Sequence, residues 1–413
     1  MQPKEGFTLG ILPPVLFKDV FHEEPGRLIR TFDGETLWID AWGPDSFRVR
    51  AAKMPEMPQE DWALTEPVCH DAQIQIGEDF SLIRNGRLIA KVTAAGQITF
   101  LKEDGTVLLD EYMRNRMDIT APNCSALDQE SREFKGITGG DYHLTVRFES
   151  DRSERIYGMG QYQQDLLNLK GCELELAQRN SQSSVPFMIS SLGYGFLWNN
   201  PAVGRVCFGR NVTTWYASST KKCDYWITCQ ETPAALEAAY ASVTGHVPMM
   251  PDYAMGFWQC KLRYQTQEQL LEVAREYHRR NIPLKVIVAD FFHWPHQGDW
   301  RFDETYWPDI DAMTRELKEM GVKLMVSIWP TVESASENYY DLLSRGYLIR
   351  TERGLRASMN FISESIHYDA TNPGAQKFVW DICKRNYFDH GIELFWLDEA
   401  EPEYSVYDFD NYR

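Results

Sequence analysis

The sequence predicts two domains of different fold class, an antiparallel β-sandwich followed by an α/β domain built on a parallel sheet. Up to about Trp226, short alternating polar and apolar runs are separated by turn residues, which is typical of antiparallel strands with one buried face. Residues 245–251 interrupt this pattern with two prolines and a glycine, and strands alternate with helices after them. We therefore place the domain boundary between residues 246 and 247.

The composition is that of an acidic globular protein. Of the 413 residues, 43% are hydrophobic and 25% are charged, and the formal net charge is −18. This charge repels phosphate-rich partners, which argues against nucleic acid binding. The sequence shows neither a signal-peptide core nor a membrane span, which favours a cytoplasmic protein without membrane contact. The 8 cysteines include no C-x-x-C pair, so we expect reduced thiols and neither disulfides nor a zinc site.

The first predicted domain, residues 1–246, consists mainly of short strands. The Asn85-Gly86 dipeptide lies between two alternating runs and predicts the turn of a β-hairpin. Near the end of the domain, Thr232 is followed by a proline, an N-cap and first-turn pair that predicts a connecting helix over 232–244.

The second predicted domain, residues 247–413, contains four strand-and-helix units. The predicted strands cover residues 254–260, 285–290, 323–329 and 391–398. The predicted helices cover residues 266–280, 308–320, 336–344 and 372–389. Four successive units with buried strands favour a parallel barrel, while an open doubly wound sheet stays an alternative.

A group of acidic residues ends the last predicted strand. An apolar run with aromatic residues reaches Asp398, and Glu399, Glu401 and Glu403 follow. Because side chains alternate along a strand, Asp398 is the first polar group on a face that we expect to be buried. A carboxylate so placed and crowded by like charge suits acid, base or nucleophile chemistry. The alternative is an acidic loop after a core strand.

The other predicted strands also end in residues suited to a site. Asp290 ends the second strand and Trp329 ends the third. The carboxyl ends of parallel strands meet at one edge of a sheet, so we expect these residues to lie near Asp398. For Asp290 the alternative is an N-cap or a loop salt bridge.

Residues 396–402, Trp-Leu-Asp-Glu-Ala-Glu-Pro, resemble the W-x-D-M-N-E-P nucleophile signature of glycoside hydrolase family 31. Glu399 and Ala400 stand where the signature has Met-Asn. Further stretches resemble segments of the same family in the same order, at residues 157–161, 185–201, 256–259 and 288–290. The resemblance implies a β-sandwich followed by a (β/α)8 TIM barrel, of which residues 247–413 contain about the first four units.

The resemblance also implies roles for individual residues. Asp398 would be the catalytic nucleophile, and Asp290 would accept hydrogen bonds from sugar hydroxyls, which suits an acceptor-only carboxylate. Trp396 holds a position that is lysine in some members, and it could stack on the sugar. The Ile-Trp-Pro sequence at Trp329 and the aromatic loop after Asp290 resemble xyloglucan-type α-xylosidases. The other substrate-binding residues implied are Phe291, Phe292, Trp294 and Trp329.

We accordingly expect a retaining α-glycoside hydrolase that removes a terminal α-linked sugar from an oligosaccharide or small α-glycoside, with xylosides preferred to glucosides. Carboxylates suffice for this chemistry, so no cofactor is expected. An α-glucosyltransferase and a non-catalytic carbohydrate-binding protein with an incomplete barrel stay open as alternatives, as does a homo-oligomer. The general acid/base of the family lies well downstream of the nucleophile. We therefore expect Arg413 to lie inside a longer enzyme and residues 1–413 alone to be inactive.

The loop after Asp290 contains an H-x-x-H pair, His293 and His296. This spacing also occurs in metal sites, but no third ligand is placed by spacing and the segment has no helical pattern. We expect a loop wall around the sugar and no metal.

Overall fold

The computed structural model describes residues 19–65, 71–114, 125–138, 140–350, 354 and 356–400, with the backbone alone at 359–361. The chain divides into two compact units at residue 247, and residues 178–180 group with the second unit. None of the helices in the described ranges is both long and apolar enough to cross a membrane.

The first unit is built from antiparallel strands. In its described part these are β1 (Phe21–Glu24), β2 (Arg27–Phe32), β3 (Glu35–Ala41), β4 (Ser46–Ala52), β5 (Gln73–Gln75), β6 (Phe80–Asn85), β7 (Leu88–Thr93), β8 (Ile98–Lys102), β9 (Val107–Asp110), β10 (Arg132–Gly136), β11 (Tyr142–Glu149), β12 (Ile156–Gln161), β13 (Glu173–Leu176), β14 (Ser183–Ser190), β15 (Tyr194–Trp198), β16 (Gly204–Phe208), β17 (Val212–Thr220) and β18 (Cys223–Cys229). They form three sheets, with the orders β1-β2-β3-β4-β18-β15-β14-β12, β10-β11-β17-β16-β13 and β5-β6-β7-β8-β9.

One hydrophobic core joins these three sheets. Leu144, Val146 and Phe148 are the buried alternate residues of β11, and they share this core with residues of the other two sheets, such as Phe47 and Ile83. Alternation with period two therefore buries one face of strands such as β11, as the sequence pattern indicates, whereas β4, β15 and β18 are buried at every residue. The predicted antiparallel β-sandwich is confirmed.

The hairpin between β6 and β7 differs by one residue from the prediction. Asn85 pairs with Leu88, so the turn residues are Gly86 and Arg87. The Asn85 side chain donates to the carbonyl oxygens of Gly43, in the β3–β4 turn, and of Ser46, the first residue of β4, at 2.8 Å each. These bonds keep Asn85 in the strand, and Gly86 alone takes the positive φ, 55°.

Charged side chains are buried inside the first unit and satisfy one another. The Arg132 guanidinium donates to Glu35 at 2.9 Å and to both carboxylate oxygens of Glu111, and it also reaches the Gly96 carbonyl at 2.9 Å. Arg30 donates to Glu35 at 3.2 Å. Burial of such charges is tolerated because each one has charged and hydrogen-bonded partners.

The connecting helix has the predicted start. Helix α1 covers Pro233–Thr244, and the Thr232 hydroxyl accepts the Ala235 N–H at 3.2 Å. Gly245 follows with a φ of 103°, a value that favours glycine, so the helix ends there.

The second unit alternates strands and helices. Its described elements are β19 (Trp258–Gln259), α2 (Gln267–Arg279), β20 (Val286–Ala289), α3 (Ile310–Glu319), β21 (Lys323–Ile328), β22 (Thr331–Glu333), α4 (Tyr339–Ser344), β23 (Met359–Phe361), β24 (Ser363–His367), α5 (Pro373–Asn386) and β25 (Leu394–Leu397), with 3-10 helices at Asp252–Met255 and Phe388–His390. Strands β19-β20-β21-β25 form a parallel sheet in this order, and β22-β24-β23 form a small antiparallel sheet. The predicted combination of β and α/β folds is confirmed.

Side-chain caps fix the helix starts in this unit. Thr266, Asp309 and Asn372 each accept backbone N–H groups of the first turn of α2, α3 and α5. The prediction for the first strand, residues 254–260, is wrong over most of its length. A 3-10 helix occupies Asp252–Met255, and only Trp258–Gln259 pair with β20.

Strand β25 is less buried than predicted. Leu394 and Phe395 are half-buried, whereas Trp396 is 40% and Leu397 is 72% exposed. Among the described residues β25 pairs only with β21, and none of them pairs with its other edge. The expectation of a strand buried on both faces is therefore corrected.

Candidate active site

Three polar or aromatic residues predicted from the sequence lie at the same edge of the parallel sheet. Ala289 pairs with Val326 and Ile328 pairs with Leu397, which aligns the carboxyl ends of β20, β21 and β25. Ala289, Val326 and Ile328 pack into the core of the unit. The residues that follow, Asp290, Trp329 and Asp398, therefore lie on the opposite face, because successive side chains alternate.

Trp329 and Asp398 are joined by a hydrogen bond. The Trp329 indole Nε1 donates to Asp398 Oδ2 at 3.0 Å, and the Asp398 backbone N–H donates to the Ile328 carbonyl at 3.0 Å. Trp329 is only 2% exposed, and its carbonyl accepts the Trp300 indole N–H at 2.9 Å. A buried, fixed donor thus holds one oxygen of the Asp398 carboxylate.

Asp290 is a buried carboxylate on the same face. It is 7% exposed, and it accepts the Phe291 N–H on Oδ1 at 2.8 Å and the Cys260 thiol on Oδ2 at 3.7 Å. Burial raises the pKa of Asp290, and the negative charge of Asp398 raises it further. No ion pair of Asp290 occurs in the described ranges, so its alternative role in a loop salt bridge finds no support there.

The Cys260 thiol was missed by the sequence reasoning. Partial burial and the adjacent Asp290 carboxylate raise the pKa of this thiol to about 11. At neutral pH it stays protonated and donates to Asp290. Cys260 directly follows β19, so the strand-end argument that selected Asp290 and Trp329 applied to it as well.

Four of the predicted aromatic residues form one cluster beside these carboxylates. The Phe291 ring lies 5.1 Å from that of Trp329 and 4.7 Å from that of Phe292, and the Trp294 ring lies 5.4 Å from that of Trp329, all as centroid distances. Trp294 is 4% exposed, whereas Phe291 and Phe292 are half-buried. The two phenylalanines therefore supply most of the accessible ring surface, with the tryptophans packed behind them.

His293 is a structural residue of this loop. Its Nδ1–H donates to the Asp290 carbonyl at 2.9 Å, so its Nε2 accepts the Tyr387 hydroxyl at 2.8 Å. Burial lowers the pKa of His293 to about 4, which keeps the imidazole neutral. His296 instead contacts Glu333 at 2.8 Å, and no group of potential metal ligands occurs within the described ranges.

Trp396 and the acidic residues after Asp398 complete the predicted set. Trp396 pairs in register with Ser327 and lies on the same face of β25 as Asp398. Stacking of Trp396 on a sugar stays a prediction. Glu401 and Glu403 lie outside the described residues.

Both parts of the chain match models of one enzyme family. Residues 247–412 match the glycosyl hydrolases family 31 TIM-barrel domain, and residues 36–206 match the glycosyl hydrolase 31 N-terminal galactose mutarotase-like domain. An uncharacterized family 31 glucosidase, ORF2 of Pseudescherichia vulneris, is 50% identical over 390 residues, which are 92% of this chain and 74% of the relative. The chain belongs to glycoside hydrolase family 31.

Two further relatives within family 31 have α-xylosidase names. Alpha-xylosidase A of Aspergillus niger is 33% identical over 392 residues, which are 89% of this chain and 52% of that protein. The crystal structure of a GH31 α-xylosidase from a soil metagenome, complexed with xylose, is 55% identical. The two structures superimpose with a TM-score of 0.90, and the match covers 95% of this chain and 59% of the soil-metagenome enzyme. The chain therefore spans little more than half the length of these two relatives.

Proposed function

We propose that this family 31 protein is a retaining α-glycoside hydrolase that removes a terminal α-linked sugar, with α-xylosides as its preferred substrates. The observation that supports this most is the Asp398 carboxylate at a strand end, held by the buried Trp329 N–H and beside the buried Asp290. The similar proteins include α-xylosidases, which favours the same chemistry. The cytoplasmic location stays a prediction from the sequence.

The hydrogen bond to Asp398 leaves one oxygen for the reaction. Trp329 occupies Oδ2, and Oδ1 accepts no hydrogen bond within the described residues. In the first step Oδ1 forms a bond to the anomeric carbon while the bond to the leaving oxygen breaks, and a second carboxylic acid protonates that oxygen. In the second step water attacks the same carbon, gives a proton to the second carboxylate and releases Asp398. The resemblance implies that the second acid is an aspartate downstream of Asp398.

Asp290 is suited to bind the sugar in this mechanism. Its carboxylate has one oxygen bonded to a backbone N–H and the other to a thiol, which is a weak donor. Sugar hydroxyls are stronger donors than a thiol and can bond the same acceptor. We propose that they do so when the substrate binds.

The aromatic cluster favours xylose over glucose on steric grounds. Xylose lacks the exocyclic hydroxymethyl group, and we infer that the bulky side chains of Phe291 and Phe292, beside the two carboxylates, leave little room for that group. Discrimination by such a pocket is about 1–3 kcal/mol, so we expect a preference and not complete exclusion.

The test is a comparison of kcat/KM for p-nitrophenyl α-xyloside and p-nitrophenyl α-glucoside with the full-length protein. We expect the xyloside value to be higher, and Phe292→Ala to reduce the ratio because it opens the pocket. Phe388→Ala is the control, because it makes the same change at a phenylalanine whose ring packs on Trp380 and not on the aromatic cluster. An equal or higher value for the glucoside refutes the steric argument, and release of the inverted anomer, seen by proton NMR, refutes the retaining mechanism.

A further inference from the structure

A cleft of about 530 Å³ adjoins the aromatic cluster. It is lined by Lys261, Leu262, Arg263, Gln265, Gln269, Phe291 and Phe292. The segment 261–265 follows β19, Phe291 and Phe292 follow β20, and Asp398 follows β25. The strands are parallel, so the cleft lies at the same end of the sheet as Asp398. Phe291 forms part of its wall and also contacts Trp329, which holds Asp398.

The cleft is positively charged in an otherwise acidic protein. The formal net charge of the chain is −18, yet neither Lys261 nor Arg263 forms an ion pair with any described residue. Arg275, on the helix that follows, shows the contrast, because it pairs with Glu268 at 2.6 Å and with Glu316 at 2.5 Å. Two cations that have no acidic partner among the described residues therefore face one cleft.

The Arg263 side chain packs against Phe292. Its guanidinium carbon lies 5.4 Å from the centroid of the Phe292 ring, and its Nη1 is 3.5 Å from the Phe292 carbonyl. A guanidinium stacked on an aromatic ring keeps its other N–H groups free for a planar, bidentate bond to a carboxylate or phosphate. The Gln265 and Gln269 side chains supply amide groups of the kind that bond sugar hydroxyls.

We propose that this cleft is the leaving-group subsite and that it selects leaving groups with an anionic substituent, a carboxylate or a phosphate. This assignment rests on the proposed hydrolase function. If a terminal sugar binds at Asp398, its leaving group must point away from the buried end of the site, toward an accessible cleft. A neutral sugar would bond the glutamines and stack on the phenylalanines, but it would leave both cations without a partner.

The first test measures binding without turnover. D-Glucose, D-glucuronate and D-glucose 6-phosphate are titrated calorimetrically into the full-length protein at low and high salt. We expect one or both anionic sugars to bind about five-fold more tightly than glucose at low salt, with the preference weakened by salt. The stronger of the two identifies a carboxylate or a phosphate as the better ligand group.

Three variants locate the preference. Lys261→Gln/Arg263→Gln is expected to abolish it, and Arg263→Lys should keep most of it because the charge remains. Arg315→Gln/Lys318→Gln removes the same charge from exposed positions on α3 and should leave the preference intact. Equal binding of all three sugars by the wild type overturns the proposal, as does a preference that survives the double substitution in the cleft.

The second test separates this proposal from the proposed function. The kcat/KM values of 3-carboxyphenyl and 3-carbamoylphenyl α-xyloside are compared, because these leaving groups have nearly the same shape and differ in charge. A higher value for the carboxylate that depends on Lys261 and Arg263 supports the proposal. Hydrolysis of both without a charge preference overturns the cleft assignment alone. Anion binding in a protein that hydrolyses neither overturns both the leaving-group assignment and the proposed function.

Discussion

Replacement of Trp329 by phenylalanine removes one hydrogen bond from the site and keeps an aromatic ring in the cluster. The bond from the indole N–H to Asp398 Oδ2 is 3.0 Å long and its donor is buried. A hydrogen bond to a charged acceptor contributes about 1.5–3 kcal/mol to stability, and this energy favours the bonded orientation of the carboxylate. Without it the Asp398 carboxylate can rotate, so that Oδ1 is no longer held toward the anomeric carbon.

The expected effect is on the rate of attack. Misplacement of a reacting group by about 1 Å costs on the order of 100-fold, so we expect Trp329→Phe to lower the rate constant of glycosyl–enzyme formation by about 10- to 100-fold. This rate is measured as the rate of inactivation of the full-length protein by a 5-fluoro-α-xylosyl fluoride. The kcat/KM of p-nitrophenyl α-xyloside should fall in parallel.

Trp294→Phe is the matched control. Trp294 lies in the same cluster and is also buried, but its indole N–H donates to the Ser327 carbonyl at 3.4 Å and not to a carboxylate. Both variants lose the same volume, so the part of the loss of melting temperature that comes from the cavity should be similar. If Trp329→Phe slows inactivation no more than Trp294→Phe, the hydrogen bond does not position the nucleophile and the reasoning fails.

Three further changes test the electrostatics. Asp290→Asn should lower kcat/KM by about 10- to 100-fold, because sugar hydroxyls lose a charged acceptor. Burial raises the pKa of Asp290, so ionisation of this carboxyl destabilises the folded state. At neutral pH Asp290→Asn should therefore melt at a higher temperature than wild type. The difference should vanish at about pH 3, where Asp290 is protonated in both the folded and the unfolded state. The folded-state pKa of His293 is about 4, below its ordinary 6.5, so the stability that this neutral histidine contributes is lost as the pH falls from 6.5 toward 4. The melting temperature of His293→Gln should therefore fall less over this range than that of wild type. Arg132→Leu should lower the free energy of unfolding, measured with urea, by about 3–5 kcal/mol, because it leaves buried carboxylates such as Glu111 without their cationic partner. Arg147→Leu is the control, because its ion pair with Glu133 is more exposed, and it should lower the free energy of unfolding by at most about 1 kcal/mol.

Local signals in the sequence predicted the helix starts well. Thr232, Thr266 and Asn372 are caps whose side chains bond the next turn of their own helix, so a few neighbouring residues determine the start. The first strand of the second unit was mispredicted because its pairing with β20 involves only two residues. Its length depends on that contact, which no local pattern contains.

The strand-end argument selected Asp290, Trp329 and Asp398, and the structure places all three on one face. What the sequence could not show was the bond between Trp329 and Asp398, because it depends on the register of β21 against β25. The bond between His293 and Tyr387 was equally unpredictable from the sequence, since Tyr387 directly follows α5 and lies far along the chain. The exposure of β25 was missed because an apolar run predicts a strand without predicting how many neighbours it pairs with.

The central claim is that Asp398 forms the covalent bond to the sugar. The most direct measurement is trapping of the full-length protein with a 5-fluoro-α-xylosyl fluoride, followed by proteolysis and peptide mass mapping. We expect one glycosylated peptide with the label on Asp398, and no label in Asp398→Asn. A label on Asp290 or Glu401, or rapid hydrolysis of α-xylosides by Asp398→Asn, would contradict it.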